Sequence, residues 1–443
     1  MKYLNKLSIL LTGLALAFGS CSSDNSDTPG GDEPSETGKE VSKNIVYQAN
    51  PRFFGNNNCL NGITAQIPRI SEMGCDILWI MPVYEQGSLN SIGSPYCVRD
   101  YKAINSRYGS EEDFSNLVTA AHGKGMKVIL DWVANHTAWD HPWILEHPDR
   151  YKKDANGNIV SPSGWNDVAQ LDFSNPATGE AMEDAMKYWV SKFGIDGFRC
   201  DYVEGVPHSF WSKVISDLKA SNPEIIMLAE SGKPEYYADG FTMIYDWNCP
   251  GAISGAFKGG KPANAVNEAS EALATVPEGK SILRYVFNHD VAAENNVATM
   301  YGSWAAVPAA YVLASMLNGT PMIYSSMDAE NMSGKLSFFD YKPLTFSQDL
   351  SRKYAAINEA FKESARVRGG KLRDFSNSSV ACFMRSLGGH NLLVAVNTTA
   401  DVQSIKTPIE IAGTSATELI EGTQMTLPIV MELQPYSYTI FMN

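Results

Sequence analysis

The stretch Asp196-Gly197-Phe198-Arg199-Cys200-Asp201 indicates the fold most clearly, because an apolar, strand-like run ends there on charged residues. Side chains two positions apart leave the same face of a strand, so Arg199 and Asp201 would lie on one side and Cys200 on the other. Cys200 is therefore predicted to be a core residue. Ionisable groups at the carboxyl end of a buried strand are typical of active sites in α/β barrels.

Similar apolar runs occur before and after this one and alternate with helical patterns. The predicted strands are residues 44–48, 76–81, 127–132, 196–201, 225–230, 242–246, 283–288 and 322–324. Amphipathic stretches at 111–125, 179–193 and 210–220 fit helices between them, and 302–317 is apolar nearly all round, as in a buried helix. Eight βα units predict an α/β fold, a (β/α)8 TIM barrel over residues 43–136 and 176–365.

Two further segments are predicted outside the barrel. Residues 137–175 form an aromatic, irregular insertion after the third strand. Its tryptophans Trp139, Trp143 and Trp165 are expected to build its own small core, with stacking on a ligand as the alternative. From residue 366 to 443 the runs 380–386, 391–397, 409–411 and 437–441 read as short strands with turns between them. That pattern predicts a C-terminal antiparallel β-sandwich domain.

The N-terminus is typical of an export signal. Lys2 and Lys6 precede an apolar run at 7–18, which is too short to span a bilayer, and Cys21 follows small residues. Residues 1–21 resemble a bacterial lipoprotein signal with Cys21 as the lipidated residue; ordinary secretion is the alternative. Residues 22–42 are rich in Ser, Asp, Glu, Gly and Pro and are expected to be a flexible tether. The protein is thus expected in the cell envelope, anchored to the outer membrane on its periplasmic or exposed side.

Charge and cysteine content exclude some function classes. The formal net charge of −14 disfavours nucleic acid and anionic membrane surfaces as direct partners. Apart from Cys21, the chain has six scattered cysteines and no CxxC pair, so a zinc or redox centre has little support.

Polar residues gather where four of the predicted strands end. They are Asp131, Asn135 and His136 after the third strand, Arg199 and Asp201 on the fourth, Glu230 on the fifth, and His289 and Asp290 after the seventh. Because the carboxyl ends of barrel strands meet at one face, these groups are expected to form one site. For Asp131 and Asn135 a purely structural role, bonding loop backbone, is an equal alternative.

The residue types suggest a nucleophile and a general acid. The guanidinium of Arg199 would lower the pKa of Asp201 and keep it ionised, as a nucleophile requires. Glu230 follows an apolar strand, and partial burial would raise its pKa towards neutrality, as a general acid requires.

These segments resemble the signature regions of the α-amylase family, glycoside hydrolase family 13. The resemblance rests on DWVANH at 131–136, GFRCD at 197–201 and FNHD at 287–290, and it extends over nearly all of the mature chain. It implies a barrel with an insertion called domain B and a C-terminal β domain. It also implies that Asp201 is the nucleophile, Glu230 the acid/base and Asp290 the stabiliser of the transition state.

Substrate contacts follow from the same resemblance. Tyr96, in Ser94-Pro95-Tyr96, would stack on the sugar ring, with His136, Arg199 and His289 lining the same subsite. Glu204 stands where many members have a lysine that contacts the neighbouring sugar, and it is taken as a substrate-binding candidate. We also expect Glu204 to reach donors in the insertion.

The usual calcium site of domain B is expected to be degraded. Gly205 stands in place of the histidine whose carbonyl helps to hold the ion, and Gln170 in place of an aspartate, while Asn135 is retained. A hard cation needs several oxygen ligands, including carboxylates. No metal ligand and no cofactor are therefore assigned.

The resemblance implies a retaining glycoside hydrolase that cleaves α-glucosidic bonds in starch, maltooligosaccharides or related α-glucans. A transglycosylase of the same family is the first alternative, since it differs in how well water competes with a sugar acceptor. A non-catalytic glycan-binding lipoprotein is disfavoured, because Asp201, Glu230 and Asp290 are all present. Sequence does not decide between α-1,4 and α-1,6 bonds or between internal and terminal cleavage.

Overall fold

Parallel strands close into a barrel in a computed structural model that describes Gly38 and residues 41–162, 164–330 and 334–443. The predicted signal at 1–21 and nearly all of the tether lie outside the described residues. The barrel strands are β1 (Val46–Ala49), β2 (Ile77–Ile80), β3 (Lys127–Val133), β4 (Gly197–Asp201), β5 (Ile226–Ala229), β6 (Met243–Tyr245), β7 (Ser281–Tyr285) and β8 (Thr320–Tyr324). They follow one another around the barrel in chain order, and β8 pairs with β1. All eight predicted strands are confirmed, with ends shifted by a few residues.

Helices alternate with these strands. They are α1 (Cys59–Glu72), α2 (Glu111–His122), α3 (Trp143–Glu146), α4 (Pro176–Phe193), α5 (His208–Ser221), α6 (Cys249–Phe257), α7 (Pro262–Ala274), α8 (His289–Glu294), α9 (Val297–Tyr301), α10 (Ala306–Met316), α11 (Gln348–Glu363) and α12 (Ala365–Arg368). Local chemistry sets their ends: the side chain of Asn175 caps α4, and Gly194, with φ of 67°, ends it. Every residue of α10 is buried, as its apolar sequence predicts.

Side chains of the barrel strands alternate between two cores. Inward-facing residues such as Trp79, Leu228 and Tyr245 fill the barrel itself. Their neighbours in sequence, such as Leu78 and Met227, pack against the surrounding helices. This period of two is what a β-strand imposes when both of its faces are buried. Cys200 belongs to the outer core, which confirms its predicted orientation.

The insertion begins as a short antiparallel pair, His136–Ala138 with Val168–Gln170. Tyr101 contacts its base, because its buried hydroxyl lies 2.8 Å from each of the carbonyl oxygens of Val133 and His136 and donates its one proton between them. Trp139 and Trp143 pack against the main core and not in a separate core of the insertion. Trp165 packs against the small Cys97, Ala138 and Val168 cluster and also lines the cleft described below, so the core role and the stacking alternative both stay open for it.

The C-terminal segment is built from antiparallel strands. They are β9 (Lys371–Asp374), β10 (Val380–Leu387), β11 (His390–Asn397), β12 (Gln403–Lys406), β13 (Ser415–Glu418), β14 (Thr423–Thr426), β15 (Val430–Leu433) and β16 (Tyr438–Met442). Six form one sheet in the order β9-β10-β11-β16-β13-β14, and β12 pairs with β15 in a second sheet. Cys382 and Phe441 from the first sheet pack against Ile405 and Met431 from the second, which confirms the sandwich.

The other face of the larger sheet joins the main core, with Phe383, Val394 and Ile440 among the contacting residues. The domain limits at residues 137, 175 and 366 therefore stay predictions from sequence. The predicted strand at 409–411 is wrong: those residues form a turn in which the amide of Ile411 donates to the carbonyl oxygen of Pro408 at 3.1 Å. Pro408 cannot donate to a sheet and favours a turn.

Candidate active site

Arg199 lies at the centre of the polar groups at the carboxyl ends of β3, β4 and β5. Its side chain is fully buried. One terminal nitrogen contacts Oδ1 of Asp131 at 2.6 Å and Oδ1 of Asp201 at 2.9 Å, and the other lies 2.7 Å from Oε1 of Glu230. We call Asp131, Asp201 and Glu230 around this guanidinium the carboxylate cluster. Sequence reasoning brought these strand ends together correctly, because barrel closure places them at one face.

Asp131 forms the base of the cluster and does not line the cleft. Its second oxygen accepts hydrogen bonds from the hydroxyl of Tyr96 at 3.0 Å and from the indole nitrogen of Trp79 at 3.2 Å. The carboxylate is completely buried. Asp131 therefore positions the side chains of Arg199 and Tyr96, which differs from the bonding of loop backbone that the structural alternative proposed.

Tyr202 orients Glu230. Its backbone N–H donates to Oε2 of Glu230 at 2.6 Å. Tyr202 itself has φ of 38° and ψ of 54°, in the left-handed region that a large side chain rarely adopts. Strain of this kind persists where the surrounding structure holds it, often at functional sites. No feature of the sequence reveals this conformation, so Tyr202 was missed.

Tyr96 and His289 pack together above Asp131. Their rings are stacked with centroids 5.6 Å apart, and the Tyr96 hydroxyl lies 2.8 Å from Nε2 of His289. The other imidazole nitrogen of His289 lies 2.8 Å from the side-chain nitrogen of Gln48 on β1. Asp290 is different, since its carboxylate is about half exposed and faces the cleft.

His136 contacts Tyr96 from the side of the insertion. Its Nε2 lies 3.2 Å from the carbonyl oxygen of Tyr96, and its Nδ1 lies 3.2 Å from the side-chain nitrogen of Asn135. Burial lowers the pKa of His136 to about 4, and burial likewise lowers the pKa of His289 to about 4. Both imidazoles are therefore neutral at neutral pH.

Burial raises the pKa values of the cluster. Burial raises the pKa of Glu230 to about 8, although Arg199 pulls in the opposite direction. The pKa of Asp201 is raised to about 7 by burial, against the lowering effect of Arg199. The prediction that Arg199 would hold the pKa of Asp201 below its usual value is therefore wrong in sign, because the cost of burying the charge exceeds the attraction. Glu230 still has the higher pKa of the two, as predicted.

A cleft with a cavity volume of about 500 Å³ opens above the cluster. The candidate residues that line it are Tyr96, His136, Asp201, Glu204, Glu230, His289 and Asp290. Aromatic side chains from several loops form its rim, namely Trp165, Tyr202, Trp247, Phe338 and Phe339. Trp247 follows β6 after a single intervening residue, so the strand-end reasoning used for the carboxylates would have found it.

Glu204 does not contact the insertion. Its Oε1 accepts a hydrogen bond from the hydroxyl of Ser231 at 2.8 Å, and its Oε2 pairs with Nζ of Lys233 at 2.7 Å. Both partners lie on the loop after β5, so the expectation of contacts to the insertion is wrong. Burial acts to raise the pKa of Glu204, but Lys233 and Ser231 outweigh it, so the pKa is lowered and the group is a carboxylate.

The residues present do not fit the calcium site of domain B. Within the described ranges, no group of three or more His, Cys, Asp or Glu side chains is placed to hold a metal ion. Oδ1 of Asn135 is buried without a hydrogen-bond partner, but Gly205 lies so close that a Cβ there would overlap this oxygen. One amide oxygen does not provide the six to eight oxygens that Ca²⁺ prefers.

The fold and the site define a class: (β/α)8 barrels that hold paired carboxyls at the ends of the fourth and fifth strands, with an insertion after the third. A family model described as "Alpha amylase, catalytic domain" matches residues 37–158 and 163–366. The chain belongs to the α-amylase family.

Individual relatives agree with this assignment. The chain is 26% identical to Alpha-amylase MalA of Haloarcula japonica, over 85% of this chain and 58% of that protein. It is also 26% identical to Alpha-amylase 3 of Dictyoglomus thermophilum, over 70% of this chain and 68% of the relative. The chain thus spans little more than half the length of the Haloarcula protein that it matches.

Solved structures show the same architecture. An alpha-amylase from Lactobacillus plantarum superimposes with a TM-score of 0.78 at 26% identity, covering 90% of this chain and 99% of that one. The noncanonic maltogenic alpha-amylase AmyB from Thermotoga neapolitana gives a TM-score of 0.79 at 22% identity, covering 90% and 98%. At that lower identity the second likeness supports the fold alone.

Proposed function

We propose that this chain is a retaining glycoside hydrolase that cleaves α-glucosidic bonds in starch, maltooligosaccharides or related α-glucans. The observation that carries the proposal is the pairing of Asp201 and Glu230 on the two terminal nitrogens of Arg199. A shared guanidinium keeps the two carboxyls close together. It favours the separation of about 5 Å found in retaining enzymes over the wider gap that an inverting enzyme needs for water.

The two carboxyls have complementary roles in the first step. Asp201, with the lower pKa, attacks the anomeric carbon as the carboxylate, and the bond to the glycosidic oxygen breaks. Glu230, held protonated by its raised pKa, gives its proton to that oxygen, and the leaving sugar departs as an alcohol. The product of this step is a glycosyl ester on Asp201.

Water completes the reaction in the second step. Glu230, now ionised, takes a proton from water as the oxygen attacks the anomeric carbon, and the ester bond to Asp201 breaks. Asp201 returns to the carboxylate, and the sugar leaves with its original anomeric configuration. A sugar hydroxyl in place of water gives transglycosylation through the same intermediate.

The other cleft residues would bind the sugar and stabilise the transition state. Asp290 is the exposed carboxylate of the site and would hold sugar hydroxyls and favour the positive charge that develops on the ring. His136 and His289 are neutral and line the cleft, but both ring nitrogens of each already contact protein groups, so they would border the sugar and hold Tyr96 in place. Tyr96 would stack on the ring of the sugar being cleaved.

Substitution of the two carboxyls tests the proposal. Asp201→Asn and Glu230→Gln should each lower the rate of reducing-end release by several orders of magnitude, because the covalent or the proton-transfer step is lost. The substrates are maltoheptaose, soluble starch, pullulan and cyclodextrin, and the control is Asp184→Asn at an exposed site on α4. Retention of more than about a tenth of the wild-type rate by either variant would contradict the assignment. Absence of reducing ends from wild-type protein would favour a glycan-binding role.

We also propose that Cys21 anchors the chain to the outer membrane. The support is the signal-like pattern of residues 1–21, which lie outside the described residues. Within the part of the chain that the structure describes, no helix is long and apolar enough to cross a membrane. Cys21→Ala should move the protein from the membrane fraction to the soluble fraction with unchanged activity. Wild-type protein that is wholly soluble in the medium would contradict the anchor.

A further inference from the structure

A second concave surface adjoins the catalytic cleft. It lies between α6 and α7 and has a cavity volume of about 650 Å³. We call it the helix groove; the residues that matter here are Trp247, Gly251, Gly255, Asn264, Asn267 and Glu268. Trp247 lines both the groove and the catalytic cleft. The two cavities therefore share one wall.

Two glycines form the floor of the helix groove without a structural reason for being glycine. Gly251 and Gly255 are exposed and one turn apart on α6, whose opposite face buries Ile253 and Phe257. Neither glycine has a positive φ, and a Cβ at either would meet no atom of the described residues within 4 Å. Glycine in a helix interior lowers stability relative to alanine. A ligand that packs directly against the helix backbone would explain both residues.

The α7 wall offers amides to such a ligand. Asn264 and Asn267 are three positions apart, so they lie on the same side of α7, and both are exposed. Among the residues that the structure describes, neither side-chain amide has a hydrogen-bond partner. An amide both donates and accepts, which suits neutral hydroxyl groups. The lining charges, Lys261 and Glu268, are one of each sign, so the groove has no preference for an ion.

Trp247 links the helix groove to the carboxylate cluster through Tyr245. Its side chain is 46% exposed, and its ring packs on Tyr245 with centroids 4.9 Å apart. The hydroxyl of Tyr245 accepts a hydrogen bond from Nε of Arg199 at 3.2 Å. A polymer that occupies the cleft above the carboxylate cluster can thus pass over Trp247 into the helix groove. Flat aromatic surface with a few polar groups is the usual composition of small-molecule sites.

We propose that the helix groove binds glucose units of a long α-glucan chain whose cleaved bond lies in the catalytic cleft. The proposal rests on the proposed function and deepens it, because it makes the enzyme selective for long chains. The glycine floor receives the face of the sugar rings, Trp247 guides the chain at the junction, and Asn264 and Asn267 bind the hydroxyls.

Leucine at the glycine positions tests the proposal. Gly251→Leu and Gly255→Leu each place a side chain in the helix groove, and both should fold because leucine is a better helix former than glycine. The control is Ser191→Leu, at an exposed position of α4, a helix that does not line the groove. We measure kcat/KM for the shortest and for the longest α-glucan of the panel above that wild-type protein cleaves.

The groove variants should lose about tenfold in kcat/KM on the long chain, which corresponds to about 1.4 kcal/mol. Their kcat/KM on the short chain should match wild type, and the control should match wild type on both. Wild-type values on both chains, or an equal loss on both, would overturn the proposal while the hydrolase function stands. If wild-type protein cleaves no α-glucan, the proposed function itself fails.

Discussion

Arg199 brings one positive charge to three buried carboxyls, so full ionisation of the cluster would leave excess negative charge away from water. Burial raises all three pKa values, to about 6 for Asp131, about 7 for Asp201 and about 8 for Glu230, against the lowering effect of Arg199. These groups titrate together near neutral pH, where the cluster holds a proton that Glu230 can keep while Asp201 is ionised. Burial of these carboxyls around a single guanidinium therefore leaves one of them protonated and another ionised near neutral pH.

This order predicts a bell-shaped dependence of kcat/KM on pH. Activity needs ionised Asp201, so it should fall as the pH drops below about 7. It also needs protonated Glu230, so it should fall again as the pH rises above about 8. The profile is measured on maltoheptaose, and its two limbs report the pKa values of the essential acid and base in the free enzyme.

Glu230→Gln is the control for the alkaline limb. With an activated aryl glycoside, whose leaving group needs no proton, this variant should keep the acid limb and lose the alkaline one. An alkaline limb that persists in Glu230→Gln would show that another group carries it.

At the scale of single elements, α6 shows a conflict between local propensity and structure. Gly251 and Gly255 weaken this helix, although the space beside them is open. Gly194 is the opposite case, since it ends α4 at φ of 67°, where a side chain is strained.

Alanine substitution should separate the two kinds of glycine. Gly251→Ala and Gly255→Ala should each raise the free energy of unfolding by about 0.5–1 kcal/mol, because alanine restricts the unfolded chain and favours the helix. Gly194→Ala should lower it by a similar amount, because its backbone conformation is left-handed. Urea unfolding of the three variants checks both signs. Destabilisation at Gly251 and Gly255 would mean that another part of the folded protein packs too closely against the α6 backbone to leave room for a methyl group.

Secondary-structure elements can be predicted from sequence where the hydrophobic periodicity is strong. They are predicted poorly where the backbone conformation of one residue determines the local structure. The barrel strands were found because both of their faces are apolar and each ends on polar residues. The turn at 409–411 is predicted as a strand because Ile409 and Ile411 alternate as in a strand, although the preceding Pro408 favours a turn. The left-handed Tyr202 was invisible, since its conformation is set by packing around Glu230.

The same limit applies to the site. The meeting of Arg199, Asp201 and Glu230 follows from barrel closure and was predicted. The sign of the pKa shift of Asp201 depends on how completely the fold buries it, which spacing along a chain does not reveal. The aromatic rim was largely missed, because Tyr202, Phe338 and Phe339 come from loops with no periodic pattern.

In the whole molecule, the insertion is joined to the barrel by direct protein contacts. Tyr101 bridges the carbonyl oxygens of Val133 and His136, and the amide of Leu171 donates to the carbonyl oxygen of Asn135 at 3.1 Å. Because these contacts join the insertion to the barrel, and because no group of three or more His, Cys, Asp or Glu side chains in the described residues is placed to hold a metal ion, folding should not depend on calcium.

Thermal unfolding tests this expectation. The unfolding midpoint in excess EDTA should lie within about two degrees of the midpoint in millimolar calcium. Calcium would raise the midpoint only if it bound the native protein in preference to the unfolded chain. Excess magnesium is the control for ionic effects. A drop of about ten degrees on chelation would show that a metal stabilises the fold.

The anomeric configuration of the first product tests the pairing of Asp201 and Glu230 most directly. Proton NMR is recorded during the first minutes of cleavage of an α-glucan, before mutarotation mixes the anomers. Two carboxyls held close together by Arg199 require two displacements, so the new reducing end should appear as the α-anomer. Appearance of the β-anomer first would mean a single displacement by water and would contradict a covalent role for Asp201.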